Sequence, residues 1–387
     1  MVGRCARRLL RHLSLVCSLR LWVCRAPLLC SLLFSGRLVV QARPDTNLTL
    51  KRLPHSNLLV YRNHKGETVP VQSVRDWNKR RDEILRGMQK VMGPLPGKEQ
   101  RCRLEVQIEE EIDCGEYVRR FISYAADPGS RVPAYLLIPK TALSGKGKAP
   151  GVLCLHQTHS LGQKVVVGLG NSPNDAYGVE LVKRGYVCLA PPYPLLANYQ
   201  PDLKALGYQS GTMKAIWDNS RGLDLLESLP FVRRGKFGAI GHSLGGHNAI
   251  FTAVFDPRIK VIVSSCGFDS FVDYYGGDPG VWKPERGWCQ TRYMPRLASY
   301  AGRLEEIPFD FHELMGALAP RRAFVNAPLG DTNFKWHSVD AVAQAASPIY
   351  GLYRAPRNLE VQHPDCGHLF PPEVRQTAYA VLDEALK

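Results

Sequence analysis

The chain has 387 residues, of which 45% are hydrophobic and 22% are charged, the composition of an ordinary globular protein. This length favours one large domain over two. The formal net charge is +15, and because residues 1–42 hold seven arginines and no Asp or Glu, +8 remains beyond them. That charge suits an anionic substrate or surface, but Lys and Arg form no compact stripe, which argues against nucleic-acid binding.

Residues 1–42 are typical of a targeting segment. A basic front of four arginines precedes a short apolar run at residues 26–34, and Val40-Gln41-Ala42 is an acceptable cleavage site. Two further arginines interrupt the apolar stretch, which argues against a membrane-spanning helix. The segment therefore predicts a secreted or periplasmic protein whose mature form begins near Arg43. A disordered basic leader and an internal translation start are the alternatives.

Seven cysteines lie beyond residue 42, an odd number, and no two of them form a C-x-x-C pair. Zinc and redox sites commonly use such pairs, so the sequence predicts neither. Cys154, Cys188 and Cys266 lie on or beside apolar strand segments. Free cysteine in such a place is usually a small buried hydrophobe.

The predicted elements begin with a helix at residues 76–92, which ends at the breaker cluster 93–97. Three strands separated by turn signals follow, and strands and helices then alternate to the end of the chain. The strands are at 104–111, 116–125, 132–139, 152–156, 186–190, 236–240, 261–265, 322–327 and 359–362, and the later helices are at 175–184, 212–229, 247–255 and 372–386. This order predicts antiparallel lead-in strands and then a mostly parallel sheet with helices on both faces.

One motif dominates the sequence: Gly241-His242-Ser243-Leu244-Gly245-Gly246 matches G-x-S-x-G. The predicted strand before it and the predicted helix after it give the strand–turn–helix setting of a nucleophile elbow. Such a turn places the Ser243 hydroxyl at a helix N-terminus, where backbone N–H groups favour developing negative charge. The alternative is a glycine-rich turn without chemistry.

From about residue 100 to its end, the chain resembles the α/β-hydrolase superfamily in its lead-in strands, its alternation and its elbow. The segments VPAYLLIPK (132–140), LHQTHSLGQK (155–164) and CGH (366–368) resemble the dienelactone-hydrolase and acetyl-xylan-esterase-like branch. The resemblance implies a mostly parallel twisted sheet with helices on both faces. It also implies a division into a targeting segment (1–42), an N-terminal extension with a helix (43–99) and a hydrolase domain (100–387). Residues 267–320 would form a small cap.

In this superfamily the catalytic triad follows the order serine, acid, histidine. His368 follows the last predicted strand and is the expected base, whereas its competitor His363 comes too early. Asp331 follows the preceding strand and is the expected acid. Two rivals remain open: Asp269, at a position that some hydrolases use, and Asp365, which is more typical of a turn former.

The oxyanion hole needs two backbone N–H groups, and the first is expected from Leu244. The resemblance aligns residues 156–158 with the HG-x turn of related esterases, so the second is expected from Thr158. Gln157 replaces the usual glycine there. His156 and His159 could also be read as an H-x-x-H metal pair, but with no helix to carry them and no third ligand we expect no metal.

The predicted cap, residues 267–320, is rich in aromatic residues and arginine. Trp282 and Arg292 are the expected substrate-binding residues, since an aromatic platform with an arginine suits a sugar ring or an anionic group. The alternative is that the aromatic residues only form the insertion's own core.

These observations predict a secreted serine carboxylesterase that acts through Ser243, His368 and Asp331 without a cofactor. Its substrate would be a small-molecule or carbohydrate ester, possible examples being acetylated sugars. The first alternative is a serine peptidase resembling the prolyl-oligopeptidase group, although the N-terminal hundred residues are too short for a propeller domain. The second is a hydrolase-fold protein that binds a ligand without catalysis.

Overall fold

The computed structural model describes residues 52–145 and 147–387, so the predicted targeting segment lies outside the described residues. The strands are β1 (Val60–Arg62), β2 (Thr68–Pro70), β3 (Gln107–Asp113), β4 (Tyr117–Asp127), β5 (Ser130–Pro139), β6 (Ala149–Leu155), β7 (Val187–Ala190), β8 (Val232–His242), β9 (Ile259–Ser265), β10 (Arg322–Asn326) and β11 (Leu359–Gln362). The α-helices are α1 (Val74–Met92), α2 (Lys140–Leu143), α3 (Tyr177–Lys183), α4 (Gly211–Ser228), α5 (Leu244–Phe255), α6 (Phe311–Leu318), α7 (Trp336–Leu352) and α8 (Pro372–Leu386).

Short 3₁₀ helices complete the described elements. They are Lys98–Gln100, Gly162–Val167, Pro173–Asp175, Tyr274–Gly277, Pro279–Trp282, Gly287–Cys289, Pro295–Tyr300, Leu304–Glu306 and Pro356–Asn358. Five of the nine lie within the predicted cap, which contains α6 as its one α-helix among the described residues. Within the described part of the chain, no helix is both long enough and apolar enough to cross a membrane.

Nine strands form the central sheet, in the order β11-β10-β9-β8-β6-β7-β5-β4-β3. The six strands from β11 to β7 are parallel, and β5, β4 and β3 extend the sheet in antiparallel pairs. The register places Leu153, Ala239 and Ile262 side by side across β6, β8 and β9. The predicted fold class, an α/β-hydrolase sheet with antiparallel lead-in strands, is confirmed.

The sheet is buried on both faces because its central strands are apolar at almost every position. Leu153 and Leu155 of β6 belong to the core on one face, while Val152 and Cys154 of the same strand belong to the core on the other. This alternation is the two-residue period of a strand. Apolar side chains on both faces are typical of parallel strands covered by helices on each side.

Helix α1 adds the predicted N-terminal extension to one of these cores. Ser73 begins the helix, since its hydroxyl accepts a hydrogen bond from the Asp76 N–H at 3.2 Å. Trp77, Ile84 and Met88 are buried at helical spacing and belong to the same core as Leu153. The extension therefore packs against the sheet that carries the elbow.

Between β8 and α5 the main chain approaches its neighbours more closely than side chains at three glycines would permit. A Cβ atom on Gly245 would lie 1.8 Å from the Leu155 carbonyl oxygen of β6. A Cβ on Gly241 would lie 2.2 Å from the Gly245 carbonyl carbon, and one on Gly246 would lie 2.8 Å from Ser264 Oγ. Glycine is therefore required at these three positions of G-x-S-x-G-G, because α5 could not lie this close to the sheet with side chains there.

We predict that Gly245→Ala destabilises the protein by about 1–3 kcal/mol or more, because the clash is with main chain that cannot rotate away. Thermal unfolding of both proteins measures the effect. Gly351→Ala in α7 is the matched control, since a Cβ there meets nothing within 4 Å, and we expect it to leave stability unchanged or raised by up to about 1 kcal/mol. Equal melting temperatures for Gly245→Ala and wild type would contradict the packing argument.

Candidate active site

Ser243 lies between β8 and α5 with φ 53° and ψ −122°, a strained backbone conformation for a residue with a side chain. Its N–H donates to the Ser265 carbonyl at 2.7 Å, which ties the turn to the end of β9. Leu244 is the first residue of α5, so its N–H has no acceptor within the helix. The turn therefore presents a partly exposed hydroxyl and a neighbouring N–H at a helix N-terminus.

His368 and Asp331 meet at the same edge of the sheet. His368 Nδ1 lies 2.9 Å from Asp331 Oδ2 and 3.1 Å from Oδ1. The Asp331 side chain is 1% exposed, and His368 is 29% exposed, so the ring links a buried carboxylate to the surface of the site. With Nδ1 occupied in this way, Nε2 is the nitrogen left to exchange a proton with a hydroxyl.

The Asp331 carboxylate is held in its ionised form. Burial alone would raise its pKa, but the hydrogen bond and charge of His368 outweigh burial. The N–H groups of Asn333 and Phe334 add to this by donating to Oδ1 at 2.8 and 3.1 Å. The net result is a pKa below the usual value, which suits a group that must stabilise an imidazolium at neutral pH.

The acid loop and the histidine loop are joined by main-chain hydrogen bonds. Leu329 N–H donates to the Pro364 carbonyl at 3.0 Å, and Gly330 N–H donates to the Cys366 carbonyl at 2.9 Å. Asn326, the last residue of β10, donates to the Leu369 carbonyl at 2.9 Å. Because two main-chain bonds join the loops and the Asn326 side-chain amide adds a third bond from β10, the Asp331–His368 pair is positioned by the surrounding backbone as well as by its own contact.

His242, the residue before Ser243, connects the elbow to His368. Its ring centroid lies 4.9 Å from that of His368, and its Nδ1 lies 3.0 Å from Ser265 Oγ. Burial lowers the pKa of His242 to about 3, and the charge of His368 acts in the same direction. A neutral ring therefore packs against His368, the predicted base. Among the hydrogen bonds of residues 52–145 and 147–387, none joins the Ser243 hydroxyl to the His368 ring, a contact that often tightens only when substrate binds.

The alternative acids Asp269 and Asp365 and the alternative base His363 form no hydrogen bond with Asp331 or His368 among the described residues. Asp269 is 1% exposed and accepts the Lys335 N–H at 3.2 Å, while its Oδ1 has no partner among the described residues. Burial raises the pKa of Asp269 to about 7. Asp365 is exposed. The ring of His363 forms hydrogen bonds with the Ala327 carbonyl at 2.7 Å and with the Asp340 carboxylate at 2.9 Å.

The turn after β6 is shaped by His156. Its Nδ1 donates to the Gln157 carbonyl at 2.8 Å, and its Nε2 accepts the Tyr193 N–H at 2.9 Å. Burial lowers the pKa of His156 to about 4, so the ring is neutral with both nitrogens occupied. Thr158, the predicted second oxyanion donor, is exposed on this turn, and its hydroxyl lies 3.4 Å from the Tyr293 hydroxyl.

Four aromatic residues of the insertion and the acid loop form what we call the aromatic wall: Tyr274, Trp288, Tyr293 and Phe334. Trp288 has its ring centroid 5.3 Å from Tyr293 and 6.2 Å from Phe334, which in turn lies 5.9 Å from His368. The aromatic wall thus extends from the turn that contains Thr158 to the ring of His368. The sequence reasoning missed Phe334, because it follows β10 outside the predicted cap.

The two predicted substrate-binding residues differ in placement. Trp282 is fully buried and packs against Phe271 and Tyr274, so it contributes to the core of the insertion instead of facing a ligand. This placement matches the alternative reading, in which aromatic residues form the insertion's own core. Arg292 is partly exposed, and its guanidinium lies 5.8 Å from the centre of the Tyr293 ring.

His247 was not singled out from the sequence, although it directly follows the elbow. It is fully buried, and its ring stacks on Phe251 at 4.1 Å and on Trp288 at 4.4 Å. Within the described part of the chain, neither ring nitrogen has a hydrogen-bond partner, and burial lowers its pKa to about 3. The neutral His247 of α5 thus packs against the aromatic wall by stacking on Trp288.

In the part of the chain that the structure describes, two clusters have ligand atoms close enough together to consider a metal ion. Cys266, Asp331 and His368 form one, and His55, His312 and Glu313 form the other. In the first, the carboxylate is already used by His368 and two N–H groups. In the second, Glu313 binds Arg52 at 2.6 Å and Arg80 at 3.1 Å, and two arginines would repel a cation.

Known proteins that are similar to this chain in sequence include carbohydrate esterases. A family model described as glucuronyl esterase of fungi matches residues 203–353. The chain is 24% identical over 318 residues to the hydrolase YtaP of Bacillus subtilis (strain 168), covering 79% of this chain and 99% of that protein. It is 27% identical over 188 residues to a 4-O-methyl-glucuronoyl methylesterase of Phanerochaete carnosa (strain HHB-10118-sp), covering 44% of this chain and only 45% of that protein.

A solved glucuronoyl esterase from Solibacter usitatus has the same fold, with a TM-score of 0.66, 20% sequence identity, and coverage of 84% of this chain and 97% of that one. The predicted resemblance to the α/β-hydrolase superfamily, in its acetyl-xylan-esterase-like branch, is confirmed. The chain has the α/β-hydrolase fold. Its reaction class is that of the serine carboxylic ester hydrolases.

We predict that Asp331→Asn lowers turnover by about 10⁴-fold with little change in stability, because an amide cannot hold the required imidazole tautomer. Asp269→Asn is the matched control. We expect it to keep activity within about tenfold, since an amide oxygen can still accept the Lys335 N–H. Steady-state kinetics on an activated ester, with thermal unfolding of each variant, measures both effects. An inactive Asp269→Asn beside an active Asp331→Asn would transfer the role of acid to Asp269.

Proposed function

We propose that this protein hydrolyses esters of carbohydrates, and specifically esters whose acyl group is a sugar carboxylate of the glucuronate type. The observation that carries the proposal is the Asp331–His368 pair at the sheet edge where the elbow places Ser243. A nucleophile, a base and an acid, supplied here by the C-terminal ends of β8, β11 and β10, are what acyl transfer through a covalent intermediate requires.

In the proposed reaction, Ser243 Oγ attacks the ester carbonyl while His368 Nε2 takes the hydroxyl proton. The N–H groups of Leu244 and Thr158 would receive the negative charge on the carbonyl oxygen. The same proton then passes from Nε2 to the leaving alcohol, which departs from the acyl-enzyme. Water attacks the acyl group, again giving a proton to Nε2, and the carboxylic acid leaves as Ser243 recovers its proton.

The choice of a sugar carboxylate rests on two supports. The first is that the matched region, residues 203–353, includes the elbow, Asp331 and the whole aromatic insertion, and its relatives are named glucuronoyl esterases and methylesterases. The second is Arg292, whose guanidinium beside Tyr293 offers donors to sugar oxygens next to the oxyanion turn. An acetyl ester is the second candidate, on the resemblance of VPAYLLIPK and CGH to acetyl-xylan-esterase-like proteins.

We predict that kcat/KM for the methyl ester of 4-O-methylglucuronate exceeds that for acetylated xylan and for aminoacyl anilides, because only the first places a sugar on the acyl side of the bond. Kinetics on this panel measures the ratio. Ser243→Ala is the control and should lower turnover by about 10⁶-fold in the folded protein. Preferred cleavage of acetylated xylan would replace the proposed substrate, and more than a tenth of wild-type activity in Ser243→Ala would remove the proposed nucleophile.

We further infer that the protein is exported, on the basis of the arginine-rich front, apolar run and cleavage site within residues 1–42. We expect the exported form to begin near Arg43. N-terminal sequencing of the protein from the medium and from the cells of a producing culture tests this. An intact N-terminus confined to the cytoplasm would contradict the inference.

A further inference from the structure

A cavity of about 630 Å³ lies at the N-terminal ends of the parallel strands, opposite to the candidate active site. It is bordered by Lys236 of β8, Lys260 of β9 and Arg322 of β10, each in the N-terminal half of its strand. Ser243 and Asp331 follow the C-terminal ends of β8 and β10 instead. Since these strands are parallel, the cavity and the catalytic residues lie at opposite ends of the same strands.

The side chains that line this cavity are strongly biased in charge. Five are cationic and none is acidic among the lining residues that the structure describes. The five cations are Arg81, Lys236, Lys260, Arg321 and Arg322. We call this cavity the basic cavity. Its remaining polar lining comes from the amides of Asn78 and Asn358 and the hydroxyl of Tyr353.

Most of these cations are bonded to neutral groups, so their charges are not cancelled. Arg81 donates to the Val254 carbonyl at 2.8 Å, and Arg321 donates to the carbonyls of Ala253 at 2.7 Å and Ile259 at 3.0 Å. Such bonds give the arginine N–H groups carbonyl acceptors, two of them at the C-terminal end of α5, but carbonyls bring only partial negative charge.

Among residues 52–145 and 147–387, one carboxylate bonds to a lining cation: Glu384 lies 3.0 Å from Arg322. Its side chain is 72% exposed, so solvent weakens this pair. Burial lowers the pKa of Arg321 to about 10, and the charge of Arg81 acts in the same direction, whereas Tyr350 and the Asp256 carboxylate oppose the shift. A bound anion would relieve that repulsion.

We propose that the basic cavity binds a carboxylate-bearing oligosaccharide, in which the cations pair with the carboxylates and the amides and Tyr353 bond the hydroxyl groups. Its volume is within the range of about 300–1,000 Å³ that takes a drug-sized ligand. The anionic character of the ligand follows from the cavity alone, whereas the choice of a uronate rests on the proposed function. The chain would then hold an acidic polysaccharide at one end of the sheet and cleave its ester at the other.

The test measures binding of a polygalacturonate oligomer by calorimetry, using the full chain with Ser243→Ala so that turnover does not interfere. Lys236 and Lys260 are both exposed, so Lys236→Glu with Lys260→Glu should leave the fold intact. We expect this double variant to weaken binding about tenfold or more, and added salt to weaken wild-type binding. Lys65→Glu with Lys98→Glu is the matched control, because both are exposed lysines outside the cavity and the change in net charge is the same.

Three results would overturn the proposal. They are equal loss of binding in the control pair, equal binding of a neutral xylo-oligosaccharide, and displacement of the oligomer by inorganic phosphate at the same concentration as the oligomer itself. In otherwise wild-type protein, the Lys236 and Lys260 variant should retain full esterase activity on a soluble ester, because its changes lie at the opposite end of the strands. Intact binding without uronate esterase activity would leave the cavity in place and remove only the proposed reaction.

Discussion

The close approach of α5 to β6 is the constraint on which the rest of the site depends. A single carbon on Gly245 would overlap the Leu155 carbonyl, so the helix can reach this height only where side chains are absent. The same approach forces Ser243 to φ 53° and places Leu244 N–H at the first turn of the helix. The positions of the proposed nucleophile and of the proposed oxyanion donor are therefore consequences of one packing requirement. The strain at Ser243 is borne by a sheet that is buried on both faces.

A second feature is the contrast in protonation around that turn. Asp331 has a lowered pKa because His368 and two N–H groups outweigh its burial, whereas Asp269, with one N–H donor, has a pKa raised to about 7. His242 and His247 are neutral because they are buried without a carboxylate partner. Of these groups, only the Asp331–His368 pair combines an ionised acid with a partly exposed imidazole. This difference in environment favours Asp331–His368 as the proposed proton-transferring pair over the neighbouring groups of similar chemistry.

The sequence predicted the elements with strong local signals and missed those defined by packing. Strand 359–362 and helix 372–386 agree with the structure at both ends, because Pro356 and Pro364 flank the strand and Pro371-Pro372 begin the helix. Helix α7 was not predicted, since its apolar residues are mixed with small and polar ones and Pro348 lies inside it. The motif order led to Ser243, Asp331 and His368. The contact of Phe334 with His368 and the burial of Trp282 could not be predicted. Which aromatic rings face the site depends on the tertiary packing of the insertion and of the loop after β10, and the local sequence does not reveal this.

The account stands on the claim that Ser243 is a nucleophile activated by His368. Labelling with a fluorophosphonate, followed by mass spectrometry of the modified peptide, tests this claim without any knowledge of the substrate. We predict a single stoichiometric adduct on Ser243 in the wild-type protein, and labelling slowed at least about a thousandfold in a folded His368→Ala variant. An adduct on another residue, or unchanged labelling of Ser243 without the histidine, would contradict the account.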